Sequence, residues 1–270
     1  MSLEDGVAVE RHAPTWCVGG LNTARTVQIA ASGRVFNLEQ RYDSGLCGTA
    51  LWDSAVTFVR HLDHEAQSSS GPLCGDRLRA ASVIELGAGC GLAGMAFAAH
   101  GARVTLTDKP EVMEHLRANV QNNFGEPSTS GFQLVPFCWG TDPLVAGLEP
   151  PYNFVVATDV VYLEVQIAPL ISSLVALADA RSTIIVAVER RDEAIWQALQ
   201  RALKAAFKMR RVGLHRLQSH LDDDEAAANA EYLGIFVAHK RNRPSPQCDE
   251  DAACRALAEP PGSRLSASDL

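Results

Sequence analysis

A long apolar segment is the first feature that this sequence of 270 residues lacks. Its longest uncharged run, residues 86–102, is broken by five glycines, and no stretch reaches the roughly 18 apolar residues that span a bilayer. Acidic residues stand close behind the first methionine, where a secretory signal has its basic region. We therefore expect no membrane partner and a cytoplasmic location, with the nucleus as the alternative.

Closely paired cysteines are also missing. The seven cysteines are odd in number and none has C-x-x-C spacing, so neither a disulfide framework nor a zinc site is indicated. Reduced thiols, as in the cytosol or nucleus, are the better interpretation. We also predict no metal site from the histidines, because the following ones show no ligand spacing with acids or cysteines: His61, His64, His100, His115, His215, His220 and His239.

Basic residues are fewer than acidic ones. Lys and Arg number 24 against 32 Asp and Glu, which gives a net charge of −8 and a pI near 5.5. Such a chain is a poor binder of phosphate backbones, so nucleic acid is not expected as a partner. The basic cluster at residues 240–243 is only four residues long and borders an acidic tail.

From residue 82 onward, short apolar runs alternate with helix-like segments. The runs predict strands at 83–87, 103–107, 132–137, 154–158 and 183–188. Helices are predicted at 92–100, 110–123, 164–178 and 192–206. Two later runs, 209–214 and 232–238, are predicted to form an antiparallel edge pair. This order is typical of a parallel sheet covered by helices on both faces.

The two ends of the chain differ from this central pattern. Residues 26–29 and 34–38 flank a turn with Gly33 and predict a β-hairpin, and residues 51–62 have helical periodicity. The segment after residue 240 is rich in proline, serine and acids without periodicity, which predicts disorder. We divide the chain into an N-terminal extension, a main domain and a disordered tail, at residues 1–34, 35–240 and 241–270.

A glycine-rich turn follows the first strand of the alternating region. Residues 85–92 read Glu-Leu-Gly-Ala-Gly-Cys-Gly-Leu, and ligands of doubly wound sheets bind beyond such strand ends. Glycine there lets the backbone approach a ligand without a Cβ. Asp108 ends the next strand, 21 residues after Gly87, where a carboxylate can accept both hydroxyls of a ribose. The turn and the acid together predict a cofactor that contains a ribose.

Two cofactors fit this layout, and the details favour S-adenosylmethionine. A nicotinamide dinucleotide uses G-x-G-x-x-G, which would require glycine at position 92, where the chain has leucine. The carboxylate of Glu85 would repel a pyrophosphate, whereas it can balance the ammonium group of S-adenosylmethionine. Alternatively, Glu85 is a strand-end acid at a solvent rim. An NAD-dependent oxidoreductase is the more distant alternative.

Several segments of the chain resemble one enzyme family, in the order in which that family has them. Residues 83–92 resemble the first motif of class I, seven-strand methyltransferases. The remaining matches resemble the family 16 protein-lysine methyltransferases: Gly48–Ala55 with its Leu-Trp, Thr107–Asp108, Phe137–Gly140, and the D-x-x-Y within Thr158–Tyr162. The resemblance implies an α/β, Rossmann-like sheet of seven strands, mostly parallel with an antiparallel last strand, after a small N-terminal β extension.

The resemblance also implies a set of cofactor-binding residues. Asp108 would hold the ribose hydroxyls, Trp139 would lie against the adenine, and Trp52 with the glycine turn would line the methionine side. Thr158 stands where the family usually has a smaller residue. In the alternative interpretation, Trp52 and Trp139 only pack in the interior. The predicted cofactor-binding residues are Trp52, Glu85, Gly87, Ala88, Gly89, Asp108, Trp139 and Thr158.

Asp159 and Tyr162 are the predicted catalytic residues. A lysine amine has an ordinary pKa near 10.4 and must lose a proton before it attacks a methyl group. An acid at the cofactor mouth can bind and orient the incoming ammonium, while a nearby cation and an apolar wall favour the neutral amine. We assign Asp159 as that acid and Tyr162 as part of the wall or as a hydrogen-bond partner of the amine. The alternatives are a helix N-cap for Asp159 and a core position for Tyr162.

The expected activity is methylation of a lysine side chain on a protein. Val160 and Val161 replace the two prolines that methyltransferases of base amines and amides typically have at this point. The resemblance adds chaperones and ATPase machines as partner classes, and we expect a monomer. The alternatives are a small-molecule amine methyltransferase and a catalytically weak cofactor-binding protein of the same fold. Residues 189–192 are interpreted either as substrate-binding or as a solvated loop.

Overall fold

A computed structural model describes residues 26–41, 44–220 and 230–240. Its strands are β1 (Thr26–Ala31), β2 (Arg34–Glu39), β3 (Ser82–Leu86), β4 (Arg103–Asp108), β5 (Phe132–Pro136), β6 (Phe154–Thr158), β7 (Thr183–Glu189), β8 (Phe207–Arg211) and β9 (Leu233–Lys240). Its α-helices are α1 (Asp53–Ala66), α2 (Gly75–Leu78), α3 (Leu92–Ala99), α4 (Met113–Phe124), α5 (Pro127–Ser130), α6 (Ile167–Leu177), α7 (Glu193–Ala206) and α8 (Leu214–Gln218).

The central sheet has seven strands in the order β5-β4-β3-β6-β7-β9-β8. Pairs from β5 through β7 are parallel, and β9 runs antiparallel to both of its neighbours, β7 and β8. The chain starts in the middle of the sheet at β3, proceeds outward to β5, and returns to add β6 on the other side of β3. This reversal of strand order opens a crevice at the carboxyl ends of β3 and β6.

Two apolar layers cover the faces of the sheet. The strands β3, β6 and β7 are buried almost throughout, as expected for parallel strands with helices on both faces. The helices α1 and α3 pack on one face and α6 and α7 on the other. Because strand side chains alternate, Ile84 and Leu86 face the layer of α6 and α7, and Glu85 between them faces α3.

The hairpin of β1 and β2 is attached to the main body through α4. The backbone N–H of Asn37 donates to Oδ1 of Asn123 at 2.7 Å, and that of Glu39 donates to Oδ1 of Asn119 at 2.8 Å. These asparagines give the outer strand hydrogen-bond partners that an exposed edge would lack. Phe36 and Leu38 of the same strand are fully buried against the core.

The predicted fold class, including the seven-stranded sheet and the small N-terminal β element, is confirmed. Element bounds differ in detail: α1 continues to Ala66, and the predicted strand at 209–214 lies instead at Phe207–Arg211. The strand starts earlier because α7 ends directly before it, and it stops before Gly213, the N-cap of α8. The predicted tail and residues 1–25 lie outside the described residues. The three-part division of the chain stays a prediction.

None of the helices in the described ranges has the length and apolar character required to cross a membrane.

Candidate active site

The carboxyl ends of the central strands surround a cavity of about 450 Å³. It lies at the reversal of strand order between β3 and β6. All ten residues predicted for the site line it, although their roles stay predictions: Trp52, Glu85, Gly87, Ala88, Gly89, Asp108, Trp139, Thr158, Asp159 and Tyr162. The structure thus brings together residues that are separated by as many as 110 positions in the sequence.

The glycine turn presents bare backbone to this cavity. Gly87 and Gly89 have φ angles of +66° and +56°, in the left-handed region that L residues rarely adopt. A Cβ on Gly87 would lie 2.8 Å from Cγ1 of Val160 and 3.1 Å from Cζ2 of Trp139. A Cβ on Gly89 would lie 3.0 Å from the carbonyl oxygen of Gly48. Both the backbone conformation and the surrounding space therefore require glycine.

Asp108 connects the glycine turn to the end of β4. Its Oδ2 accepts the backbone N–H of Gly89 at 2.8 Å, and its Oδ1 accepts that of Lys109 at 2.7 Å. Burial raises the pKa of this carboxyl above its ordinary value, against the lowering effect of the two hydrogen bonds. A carboxylate oxygen has two lone pairs, so each oxygen can still accept a hydroxyl. The position therefore fits a ribose diol.

Glu85 is buried beneath the turn and is not at a solvent rim. Its side chain is about 1% exposed, its Oε2 accepts the backbone N–H of Gly94 at 2.7 Å, and Thr158 Oγ1 lies 3.3 Å from its Oε1. The N-cap of α3 is Gly91, which has no side chain, so Glu85 supplies the acceptor for the first turn. Burial raises the pKa of Glu85 to about 8.

Asp159 follows β6 with a φ of +55° and a fully buried side chain. It caps no helix: Gln166 accepts the backbone N–H groups that precede α6, from Tyr162 and Leu163. Arg191 instead holds the Asp159 carboxylate with two parallel bonds, from Nη1 to Oδ1 at 2.7 Å and from Nη2 to Oδ2 at 2.6 Å. The N-cap interpretation of Asp159 is therefore wrong.

Arg191 is the residue of the site to which the sequence analysis gave no definite role. Its Nη2 also donates to Oε2 of Glu189 at 2.5 Å, and its guanidinium carbon lies 4.8 Å from the centre of a Trp52 ring. Burial raises the pKa of Glu189 to about 7, and the charge of Asp159 adds to this shift while Arg191 opposes it. Two carboxyl groups thus share one cation on an aromatic face.

Three of the aromatic side chains that line the cavity, Trp52, Trp139 and Tyr162, are only half-buried. Trp52 is the N-cap of α1, and its Nε1 donates to the carbonyl oxygen of Cys47 at 3.1 Å. Trp139 packs partly on the layer of α6 and α7, with its outer edge near Gly87. Tyr162 lies beside the apolar Val165 at the mouth. Their half-buried positions leave aromatic surface available to a ligand.

We compared the chain with known proteins. The model of a family described as lysine methyltransferase matches residues 32–204. The chain belongs to the lysine methyltransferase family. The protein N-lysine methyltransferase METTL21A of Xenopus tropicalis is 34% identical over 154 residues, which cover 56% of this chain and 65% of that protein. The EEF1A lysine methyltransferase 3 of Xenopus tropicalis is 29% identical over 165 residues, covering 61% and 68%.

The match to these relatives is partial in length. The chain spans less than two thirds of the METTL21A proteins, with 61% covered for those of Danio rerio and Mus musculus. A T. thermophilus 16S rRNA methyltransferase, solved in complex with AdoMet and guanosine, has the same fold at a TM-score of 0.50 and 15% identity. That alignment covers 80% of this chain and 50% of the other. For this member of the lysine methyltransferase family, the observed fold thus agrees with the family assignment.

Proposed function

We propose that this chain methylates the side-chain amine of a protein lysine with S-adenosylmethionine as methyl donor. The single observation that carries the proposal is the shared cavity, which is lined by the glycine turn and Asp108 and also by Asp159 and by Arg191, whose guanidinium pairs with Asp159 and Glu189. The first half suits an adenosine-containing cofactor and the second suits a cationic amine. Membership of the lysine methyltransferase family supports the same reaction.

The cofactor end would be formed by residues that accept hydrogen bonds or pack against the ligand, with Lys109 beside Asp108 in the same cavity lining. Asp108 would accept the ribose hydroxyls, and Trp139 would pack against the adenine. Glu85 would balance the ammonium group of the amino acid part, which requires ionisation of a carboxyl whose pKa burial raises to about 8. The bound cofactor would supply the methyl group on a sulfonium, so the chain itself needs only to position the acceptor.

The acceptor end has one more carboxyl group than it has cations. Asp159 and Glu189 face Arg191, so the site has a formal charge of −1 when both acids are ionised. A lysine ammonium would share these carboxylates with Arg191 and lie near the face of Trp52, which favours cations. The positive charge of Arg191 and burial then lower the pKa of the amine and favour the neutral nucleophile.

Exposed apolar side chains at the mouth support a protein acceptor over a small amine. Leu46 and Val165 both line the cavity, and their exposed fractions are 38% and 77%. Leu163, next to Tyr162, is 52% exposed. Apolar patches beside a polar site are typical of protein interaction surfaces. The names of the relatives, one of which mentions EEF1A, agree with a protein acceptor.

The finer assignments rest on sequence alone. We propose that the acceptor is a protein of the chaperone or ATPase class, that the enzyme acts as a monomer, and that it works in the cytoplasm or nucleus. The resemblance supports the acceptor class, and cysteines without disulfide or zinc-site spacing support the location.

Labelling of a cell lysate tests the proposed reaction. Incubation with tritiated S-adenosylmethionine should label at least one protein band, and Asp159→Ala should abolish the label. Asp192→Asn is the control, because Asp192 is the sequence neighbour of Arg191 but its side chain only caps α7. Label found solely in the small-molecule fraction would support the amine alternative. Cofactor binding without any label would support the catalytically weak alternative.

A further inference from the structure

A cluster of buried metal-ligating side chains lies on the far part of α1, away from the cavity. His61, Glu65 and His220 are 3%, 5% and 8% exposed, and one ligand atom of each lies within 4.8 Å of the others. His220 follows α8, so 159 residues separate the two histidines. Because the two histidines are so far apart in the sequence, the spacing of histidines, acids and cysteines gave no sign of a metal site here.

Local geometry directs these side chains to one point. His61 and Glu65 are four residues apart on α1, and therefore project from the same face of the helix. The backbone N–H of His220 donates to the carbonyl oxygen of Leu217 at 3.0 Å, which fixes the residue at the end of α8. The Nδ1 atoms of His61 and His220 then lie 3.0 Å apart, with ring centres at 5.1 Å.

These separations are close to those of a tetrahedral metal site. Zinc binds histidine nitrogen and carboxylate oxygen at about 2.0–2.1 Å, so two ligand atoms lie about 3.3 Å apart. The histidine pair already meets this distance to within a few tenths of an ångström. Glu65 has a flexible side chain, and Arg216 bonds only to its Oε1, at 2.6 and 2.9 Å. Oε2 is therefore the carboxylate oxygen that can turn to a metal.

The surroundings of the cluster shield one of the candidate ligands and orient another. His64 is exposed and stacks on the ring of His220 with centres 3.6 Å apart, so it shields the outer face of that ligand. Arg216 orients the Glu65 carboxylate, as second-layer partners of metal ligands commonly do.

We propose that His61, Glu65 and His220 bind one divalent transition metal ion of the zinc type, with a water molecule as fourth ligand. The ion would fix the end of α8 to α1, whose other end carries Trp52 in the cavity. His61 and Glu65 lie within the residues 32–204 that the family model matches, whereas His220 lies beyond them. The site is therefore proposed for this chain and not for the whole family.

Metal titration of the full chain tests the proposal directly. After EDTA treatment and desalting, the protein should bind one equivalent of Zn²⁺, measured by elemental analysis, and its Tm should rise. Glu65→Gln and His220→Phe should each weaken binding by at least about tenfold. His64→Phe is the matched control, because it preserves the stacked ring and removes no proposed ligand. Its affinity should equal that of the original chain.

Cobalt substitution distinguishes this site from adventitious binding to the cysteines and requires no variant. Co²⁺ at the proposed site should give visible bands of a tetrahedral nitrogen–oxygen environment. Strong near-ultraviolet bands from thiolate ligands would overturn the proposal. So would failure to bind one equivalent, or unchanged affinity in a folded His220→Phe or Glu65→Gln variant. In those cases the two histidines form only a hydrogen-bonded pair.

Discussion

Among the individual residues of the site, Asp159 is held in an unusual conformation. Its φ of +55° costs a residue other than glycine about 1–3 kcal/mol. The two bonds from Arg191 and a backbone bond from the Asp159 N–H to the carbonyl oxygen of Ala187, at 2.8 Å, fix both the side chain and the main chain. As a result the carboxylate is held in one orientation against Arg191, and both residues line the cavity.

Replacement of Asp108 by alanine is expected to weaken cofactor binding about 10- to 150-fold. The change removes the proposed acceptor of the ribose hydroxyls, and hydrogen bonds to charged groups contribute about 1.5–3 kcal/mol, where 1.4 kcal/mol equals a factor of ten. Calorimetric titration with S-adenosylmethionine and S-adenosylhomocysteine measures the effect. Asp142→Ala, an exposed acid outside the cavity, is the control. Equal affinity of Asp108→Ala and the control would contradict the placement of the cofactor.

Replacement of Arg191 by methionine is expected to slow labelling at neutral pH and to move its pH profile to higher pH by about one unit or more. Without the guanidinium, the two carboxylates hold a lysine ammonium in its charged form more strongly. The rate of labelling of the acceptor band between pH 6.5 and 9.5 measures the shift. Arg191→Lys keeps the positive charge, so its profile should stay close to the original one. A profile of Arg191→Met without displacement would exclude the assigned role.

At the scale of secondary-structure elements, the start of α3 is joined tightly to two strands. The amide of Gly94 donates to Glu85 of β3, and a Cβ on Gly94 would collide with Cδ2 of Leu106 in β4. The same Cβ would lie 2.9 Å from the Glu85 carboxylate. The helix therefore approaches the sheet closely only because this position has no side chain.

Gly94→Ala is expected to lower the free energy of unfolding by about 1–3 kcal/mol. In a helix interior, alanine is more favourable than glycine by about 1 kcal/mol. A loss of stability would therefore show that steric crowding of the new Cβ outweighs the higher helix propensity of alanine. Urea denaturation measures the change. Gly213→Ala is the matched control, since a Cβ there meets no atom within 4 Å. Stabilisation by Gly94→Ala would contradict the close packing described here.

The strands and the longer helices could be predicted from the sequence because they have local signals, whereas the short helices α2, α5 and α8 were not predicted. Apolar runs with β-branched residues mark β3, β6 and β7, and Asp108 lies a fixed distance after the glycine turn. The contact of Arg191 with Asp159 could not be predicted, because it joins the ends of two strands and depends on a side-chain rotamer. The histidine cluster on α1 was missed for a similar reason, since only the folded chain brings residue 220 to residue 61.

The stability of the whole molecule should decrease as the pH rises from about 6.5 to 8. Burial raises the pKa of Glu85 to about 8 and of Glu189 to about 7, whereas these groups titrate near 4.3 in the unfolded chain. The folded state therefore binds more protons in this window, and the free energy of unfolding falls with rising pH. Burial lowers the pKa of His61 to about 4. Its titration makes the free energy of unfolding rise with pH, but only below about pH 6.5.

Thermal unfolding of the cofactor-free, EDTA-treated protein at several pH values measures this dependence. Glu85→Gln cannot ionise and should show a clearly smaller decrease of Tm between pH 6.5 and 8. Glu149→Gln, at a surface loop position, is a control that should retain the full slope. A Tm that rises with pH over this window in the original chain would show that neither carboxyl is protonated in the folded state.

The placement of two tryptophans in the cavity lining allows ligand binding to be followed by intrinsic fluorescence. Of four tryptophans in the sequence, Trp52 and Trp139 line the cavity, whereas Trp196 is buried between α7 and β9. An adenine stacked on Trp139 would quench its emission, and an amine bound beside Arg191 near the face of Trp52 would change the emission of that ring. Intrinsic fluorescence can therefore follow donor and acceptor separately, with Trp139→Phe and Trp52→Phe identifying which ring reports each event.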